Sequence, residues 1–322
     1  MRAVQVVRLE GPAAVEVREV PEPERGADQV LVDVRAAGVN FPDVLQSKGL
    51  YQYKPDPPFT LGSEIAGVVR EAPEGAAVSA GDRVCAFTTI GAFAEVVAVH
   101  ADHVFPLPDE VSFAAGACLP MNYLTAQFAL RRRGRLEAGQ RVLVQGAAGG
   151  VGTACVQLAA ALGAEVVAVV STPEKAEVAR AAGATHTVLA DGFRDAVKEL
   201  GGVDLVVDPV GGDRFTDSLR CLRPEGRLLV VGFTAGDIPT VKVNRLLLNN
   251  VDVVGVGWGA FALGRPGYVA EQWADLEPHL RSGALDPLIS ATFPLEKADA
   301  ALATIDERRV TGKVVLETAP TP

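Results

Sequence analysis

Arg141-Val142-Leu143-Val144-Gln145, then Gly146-Ala147-Ala148-Gly149-Gly150-Val151-Gly152, then Thr153-Ala154-Cys155-Val156-Gln157-Leu158 reads as a strand, a glycine turn and a helix. A pyrophosphate bound at such a turn needs close approach to the backbone, free N–H groups at the helix start and the positive end of the helix dipole. Gly149 allows that approach, and Gly152 lets the helix pack tightly on the strand. Ala147 stands at the first glycine position of the usual GxGxxG pattern, with Gly146 before it, so the motif here is AxGxxG. Ala147, Gly149, Gly150, Val151 and Gly152 are therefore the expected pyrophosphate-binding positions.

The motif gains its weight from the hundred residues downstream of it. Strands are expected at 142–145, 165–170, 186–189, 203–208, 227–232 and 251–256, with helices at 152–162, 173–182, 192–200 and 213–222. This alternation predicts stacked βαβ units, an α/β fold with a Rossmann doubly wound parallel sheet covered by helices on both faces. An NAD-preferring site places Asp or Glu at the end of the second strand, and this chain has Val170 there. The next residues, Ser171-Thr172-Pro173-Glu174-Lys175, offer two hydroxyls and an ammonium suited to a 2′-phosphate. Ser171 and Lys175 are thus the expected specificity residues, and NADPH the expected cofactor. Ser171-Thr172-Pro173 also reads as a helix cap with Pro in the first turn, and the two roles are compatible.

Outward from this core the texture changes. Residues 1 to about 120 carry β-branched runs such as Val30-Leu31-Val32-Asp33-Val34 and Ile65-Ala66-Gly67-Val68-Val69, cut by clusters such as Lys54-Pro55-Asp56-Pro57-Pro58, and read as mostly β. Beyond Trp258 come two amphipathic helical stretches, near 267–282 and 296–307, and a strand Lys313-Val314-Val315-Leu316. A discontinuous first domain closed by the C-terminal segment accounts for this order. The chain has 322 residues, 48% apolar and 22% charged, which suits a two-domain globular protein and excludes a disordered or coiled-coil chain. With 30 basic against 40 acidic residues its formal charge is −10, so nucleic acid is not an expected partner. The most apolar long stretch, 153–170, contains Gln157, Gly163 and Glu165, so no membrane span is expected. Met1 to Val7 reads as a first strand rather than a secretory signal, and Cys85, Cys118, Cys155 and Cys221 form no CxxC pair. Both features point to a cytoplasmic protein with reduced thiols.

The chain resembles the zinc-independent quinone oxidoreductase (zeta-crystallin-like) branch of the medium-chain dehydrogenase/reductase superfamily over nearly its whole length. The matching residues are Gly38-Val39-Asn40-Phe41-Pro42-Asp43, Leu61-Gly62-Ser63-Glu64-Ile65-Ala66-Gly67, Gly81-Asp82-Arg83-Val84, Asn122-Tyr123-Leu124-Thr125-Ala126 and the 146–152 loop. Further matches are Val207-Asp208-Pro209-Val210-Gly211, Gly226-Arg227-Leu228, Val254-Gly255-Val256-Gly257-Trp258-Gly259 and Gly312-Lys313-Val314-Val315-Leu316. The resemblance implies a GroES-like, mostly β domain (1–122 and 262–322), a Rossmann domain (123–261) and an active site in the cleft between them. It also implies that Asn40 and Tyr51 face the substrate, that Thr125 lies beside the nicotinamide and ribose, and that Phe233, Gly257 and Trp258 line the cofactor, the last two in the final Rossmann strand. Each has a plainer reading: Asn40 as a turn residue before Pro42, Tyr51 as a loop tyrosine, Trp258 as a packed aromatic. A homodimer paired through strand 251–256 is a further implication.

Zinc-dependent alcohol dehydrogenases of the superfamily carry Cys where this chain has Asn40 and His where it has Ser63, so no metal is expected. His100 and His103 form an HxxH pair beside Asp102, but in a loop after a strand, which does not suggest a metal site. Without a Lewis acid, the acceptor must be activated by its own conjugation. The leading expectation is NADPH-dependent reduction of a quinone or related conjugated carbonyl by direct hydride transfer. Reduction of an enoyl thioester or alkenal, with Tyr51 as proton donor, and a nicotinamide-binding protein with little turnover are the alternatives.

Overall fold

The computed structural model describes residues 1–318. Strands β1 (Arg2–Val6), β2 (Val15–Glu19), β3 (Gln29–Val39), β4 (Phe59–Thr60), β5 (Glu64–Glu71), β6 (Arg83–Phe87), β7 (Val96–His100) and β8 (Val104–Pro106) precede helices α2 (Phe113–Gly116) and α3 (Pro120–Gln127), with α1 (Phe41–Ser47) following β3. The middle of the chain runs β9 (Arg141–Gln145), α4 (Gly150–Ala161), β10 (Glu165–Val170), α5 (Pro173–Ala181), β11 (His186–Leu189), α6 (Phe193–Glu199), β12 (Val203–Asp208), α7 (Arg214–Arg220), β13 (Leu222–Val230), α8 (Asn244–Asn249) and β14 (Asp252–Gly255). Helices α9 (Trp258–Ala262) and α10 (Tyr268–Arg281), strand β15 (Ile289–Pro294), helix α11 (Ala298–Asp306) and strand β16 (Lys313–Glu317) complete it. The described residues divide into two compact units: Met1–Met121, Pro266–Arg281 and the stretch from Pro287 onward in the first, Asn122–Arg265 and Ser282–Asp286 in the second.

Unit 1 is built from a three-stranded sheet, β2-β1-β4, and a seven-stranded sheet, β15-β16-β3-β5-β6-β8, with β7 also pairing β3. Its core is a continuous set of Val, Ala, Leu and Phe side chains from β1, β3, β5, β6 and β16, closed by Leu295, Ala298, Ala301 and Leu302 around α11. The register of β3 matters most for function. Antiparallel pairing sets Gly38 opposite Glu64 on one side and opposite Val315 on the other, with Val39 opposite Val314. The residue after β3 (Asn40), the first of β5 (Glu64) and the first of β16 (Lys313) therefore share one end of one sheet. Gly38 permits this, because a Cβ there would stand 2.2 Å from the Ala117 carbonyl and 2.5 Å from Glu64 Oε1.

Unit 2 is the expected doubly wound sheet, six parallel strands in the order β11-β10-β9-β12-β13-β14. A parallel sheet must be covered on both faces, and Val166 to Val170 in β10 are buried accordingly. Most boundaries lie within two residues of those read from the sequence; β13 is the exception. It starts at Leu222, which pairs with Val203, and its register shifts before it resumes at Arg227 opposite Leu205. Pro224, which has no N–H to donate, and Glu225, at φ 66°, lie in the irregular part. Its far end turns away early, where the N–H groups of Val231 and Gly232 donate to the Asp208 carbonyl. The apolar 153–170 stretch divides between α4 and β10, and among the described residues no helix is long and apolar enough to cross a membrane. All four cysteines are buried and free.

Candidate active site

In unit 2 the site begins where β9 ends. Gly146 turns at φ 58°, Gly149 N–H donates to the Gly146 carbonyl at 3.0 Å, and Gly149 becomes the N-cap of α4. Helix geometry leaves the first N–H groups, those of Gly150, Val151 and Gly152, without partners inside the helix. Two glycines here have different causes. A Cβ on Gly152 would fall 2.2 Å from the Gly146 carbonyl oxygen and 2.8 Å from Ala147 Cα, so the protein itself demands glycine. At exposed Gly149 the nearest atom to a Cβ would be 3.4 Å away, so the fold leaves room that a ligand can use. Ala147 is fully buried beneath the turn.

The strand order reverses between β9 and β12, and the crevice outside their carboxyl ends is where open α/β sheets bind ligands. Beside the glycine turn lies the loop after β12, in which Asp208 Oδ1 accepts the N–H groups of Val210 and Gly211, each at 2.9 Å. Burial raises the Asp208 carboxyl above its ordinary range. Ser171 is exposed after β10 and Lys175 half-buried in the first turn of α5. Thr172 caps that helix, its hydroxyl oxygen accepting the Lys175 N–H at 3.3 Å. The hydroxyl also binds the Glu174 carboxyl and lowers its pKa. Thr125 is half-buried on α3, which is fixed to α4 by the Tyr123 hydroxyl donating to Gln157 Oε1 at 2.6 Å. Gln157 also exchanges two hydrogen bonds with the Asp286 backbone, holding the 282–286 segment in this unit. Phe233 lies against the Gly211 loop, partly exposed. Gly257 and Trp258 are not in the final strand, which stops at Gly255; Gly257 is the exposed N-cap of α9 and Trp258 its buried first residue. The Val256 N–H still reaches the Val230 carbonyl, and the chain then turns into the helix.

In unit 1, Asn40 is the buried N-cap of α1 and the hub of a network. Lys313 Nζ donates to Asn40 Oδ1 at 2.6 Å and to Glu64 Oε1 at 2.7 Å, Asn40 Nδ2 donates to Glu64 Oε1 at 2.9 Å, and the Met121 N–H donates to Glu64 Oε2 at 2.8 Å. The Asn40 N–H donates to Asp43 Oδ2 at 2.7 Å. The Asn40 amide is thus held by protein groups, as neither a free substrate donor nor a simple turn residue would be. Burial, the largest single effect, pulls the Lys313 ammonium down, but the charge and hydrogen bond of Glu64 together with the Cys118 and Asp43 groups outweigh it and the pKa ends raised. Burial pushes the Asp43 carboxyl from 3.8 up to about 7, against the Asn40 N–H, the Lys313 charge and the Ser63 hydroxyl. Tyr51 is half-buried in the loop after α1, and burial, then the Asp43 charge, raises its phenol. Asp43, Glu64 and Lys313 were not among the expected site residues. All three lie in stretches that carry the family resemblance; beyond that, their local signal is a charge at the head of an apolar strand for two of them, and Asp three residues after an N-cap for the third.

Two family profiles match the chain, one within unit 1 and one mostly within unit 2. The family profile described as "Alcohol dehydrogenase GroES-like domain" matches residues 26–109, and that described as "Zinc-binding dehydrogenase" matches residues 150–275. Mouse quinone oxidoreductase-like protein 2 is 37% identical over 322 residues, covering 98% of this chain and 91% of that protein. Among solved structures, a probable oxidoreductase from Mycobacterium abscessus is 45% identical with a TM-score of 0.91, covering 98% of both chains. The quinone oxidoreductase of Thermus thermophilus, also solved as its NADPH complex, is 37% identical with a TM-score of 0.86, covering 98% of this chain and 100% of that one.

The zinc named in one profile does not fit the donors present. Asn40 offers an amide already engaged and Ser63 a hydroxyl, where zinc takes thiolate, imidazole or carboxylate. Among the described residues no group of three His, Cys, Asp or Glu side chains is placed to hold a metal ion. His103 instead stacks on Phe87, with ring centroids 4.4 Å apart.

Proposed function

This chain belongs to the medium-chain dehydrogenase/reductase superfamily, with quinone oxidoreductases and their like as relatives, and from that premise we propose that it is an NADPH-dependent, zinc-free oxidoreductase reducing quinones or related conjugated carbonyls. The observation that carries this reading is the glycine turn opening α4 at the switch point of the sheet, with space left open at Gly149 and the N–H groups of Gly150, Val151 and Gly152 at the helix start. NADPH, when bound, supplies a hydride. The turn holds its pyrophosphate, Ser171 and Lys175 its 2′-phosphate, and Thr125, Phe233, Gly257 and Trp258 the nicotinamide end. The absence of any carboxylate at Val170 favours NADPH over NADH.

On unit 1, Tyr51 is the acid–base group. Its raised phenol stays protonated at neutral pH and donates a hydrogen bond or a proton to an acceptor oxygen gaining negative charge. Asn40, clamped by Lys313 and Glu64, fixes the head of α1 and so the start of the loop that carries Tyr51. Four buried free thiols suit a reducing compartment, which supports a cytoplasmic location. The edge strand β14 and the exposed apolar residues Val243, Leu247 and Leu248 before it support a homodimer that continues the sheet across a two-fold axis.

The test is steady-state oxidation of NADPH by the purified protein with a small quinone as acceptor, NADH as donor control and crotonyl-CoA as competing acceptor. Quinone-dependent turnover preferring NADPH is expected. Turnover of crotonyl-CoA alone transfers the assignment to enoyl-thioester reduction, and binding without turnover to a nicotinamide-binding protein.

A further inference from the structure

Asn40, Asp43, Glu64 and Lys313 are all buried in unit 1, and Asp43 and Glu64 have no exposed surface at all. Lys313 and Glu64 cancel one another's charge, and Glu64 accepts N–H donors from Lys313, Asn40 and Met121. Asp43 is the surplus. One of its oxygens accepts the Asn40 N–H; the other has only the Ser63 hydroxyl near it, close enough to favour the charge but beyond full hydrogen-bond distance. Ionised, Asp43 leaves a sealed cluster with a net negative charge and a bare carboxylate oxygen, a costly arrangement. Protonated, it makes the cluster neutral.

We propose that Asp43 is a positioning residue that must carry a proton in the active enzyme, holding Asn40 at the head of α1 while keeping negative charge away from Tyr51. This rests on the reading of Tyr51 as the acid–base group. Asp43 keeps its proton throughout, and the proton delivered to the acceptor is that of Tyr51. An ionised Asp43 raises the phenol further and opposes negative charge growing on the acceptor, so losing the Asp43 proton slows reduction.

The groups facing Asp43 are Lys313 from β16, Glu64 and the Ser63 hydroxyl at the start of β5, and Tyr51 from the loop after α1. On α11, which packs against α1, Asp306 is occupied by Lys48 at 2.6 Å, and Pro12–Ala14, also against α1, brings no charge. The Cys118 thiol near Lys313 and Glu64, pushed up to about 12 by burial, stays protonated. Burial of Asp43 places its ionisation near neutrality, where an assay can follow it.

The experiment measures the pH dependence of kcat for the full-length protein and its Asp43→Asn variant, together with carboxyl carbon NMR of 13C-aspartate-labelled protein without substrate. In the wild type kcat falls about tenfold over the pH unit above the transition. An aspartate resonance titrates over the same range. Asp43→Asn loses both the fall in kcat and that resonance. An alkaline fall retained in Asp43→Asn, or no aspartate titrating above roughly pH 6, overturns the proposal. If the variant does not fold, Asp43→Glu, which removes the same aspartate resonance while leaving that of Asp208, makes the assignment. If no acceptor is turned over, the functional reading fails, and the same NMR titration still decides whether Asp43 holds its proton.

Discussion

Lys313 and Glu64 stand 249 residues apart in sequence and 2.7 Å apart in the fold, with 4% and 0% of their side chains exposed. Breaking such a pair strands a buried charge. Lys313→Met is expected to cost about 3–5 kcal/mol in chemical denaturation, and Lys313→Met with Glu64→Gln to recover part of that loss. A loss in the double variant equal to the sum of the losses in Lys313→Met and Glu64→Gln would show that the pair is not coupled. Asp43 gives stability a pH dependence of definite sign. Its folded pKa, about 7, lies above the ordinary 3.8, so its contribution is fully present below the unfolded value and is lost as pH rises through the folded one. The wild type should therefore lose up to about 4 kcal/mol as pH rises from 3.8 to about 7, with no further loss from this group above that, and Asp43→Asn should lose less, as measured by urea midpoints across that range. A parallel decline in both proteins would contradict this. Asn40 was legible because its type is unexpected at a position where related enzymes carry a metal ligand. Its partners were not, because strand register rather than local pattern brings residues 40, 64 and 313 together.

At the scale of elements, the strand, turn and helix at 141–161 were legible because periodicity and glycine spacing agree. The motif gives its two glycines different roles, and the structure gives them different surroundings. Gly152→Ala drives a Cβ into backbone and is expected to destabilise by about 1–3 kcal/mol. Gly149, at φ −87° and ψ 174°, already has a backbone that any residue adopts, so Gly149→Ala should leave the melting temperature of the free protein unchanged. It should instead weaken NADPH about tenfold, or about 1.4 kcal/mol, by fluorescence titration. Wild-type affinity in Gly149→Ala would mean that the pyrophosphate does not lie on this turn. The start of β13 and the placement of Trp258 were not legible. In the first case pairing with β12 extends across an irregular segment containing Pro224, and in the second the chain leaves the sheet while its residues remain apolar.

For the molecule as a whole, two-domain organisation followed from length and from the change of texture near residue 120, and the discontinuous first unit from the strand at the C-terminal end. The proposed dimer rests, in the sequence, on an apolar strand alone. The structure adds α8 in front of it, where Leu247 and Leu248 are 76% and 75% exposed. Charging both, as Leu247→Asp with Leu248→Asp, should halve the mass measured by light scattering. A wild type already monomeric at micromolar concentration would refute the dimer.

The proposed function requires hydride to pass directly from a bound nicotinamide to a conjugated acceptor. Its most direct test is the oxidation of NADPH on adding quinone to flavin-free protein, repeated with deuterium at the reactive position of the nicotinamide. Quinone-dependent oxidation that slows with the deuterated cofactor is expected. NADPH that binds but is never oxidised, whatever the quinone, would contradict it.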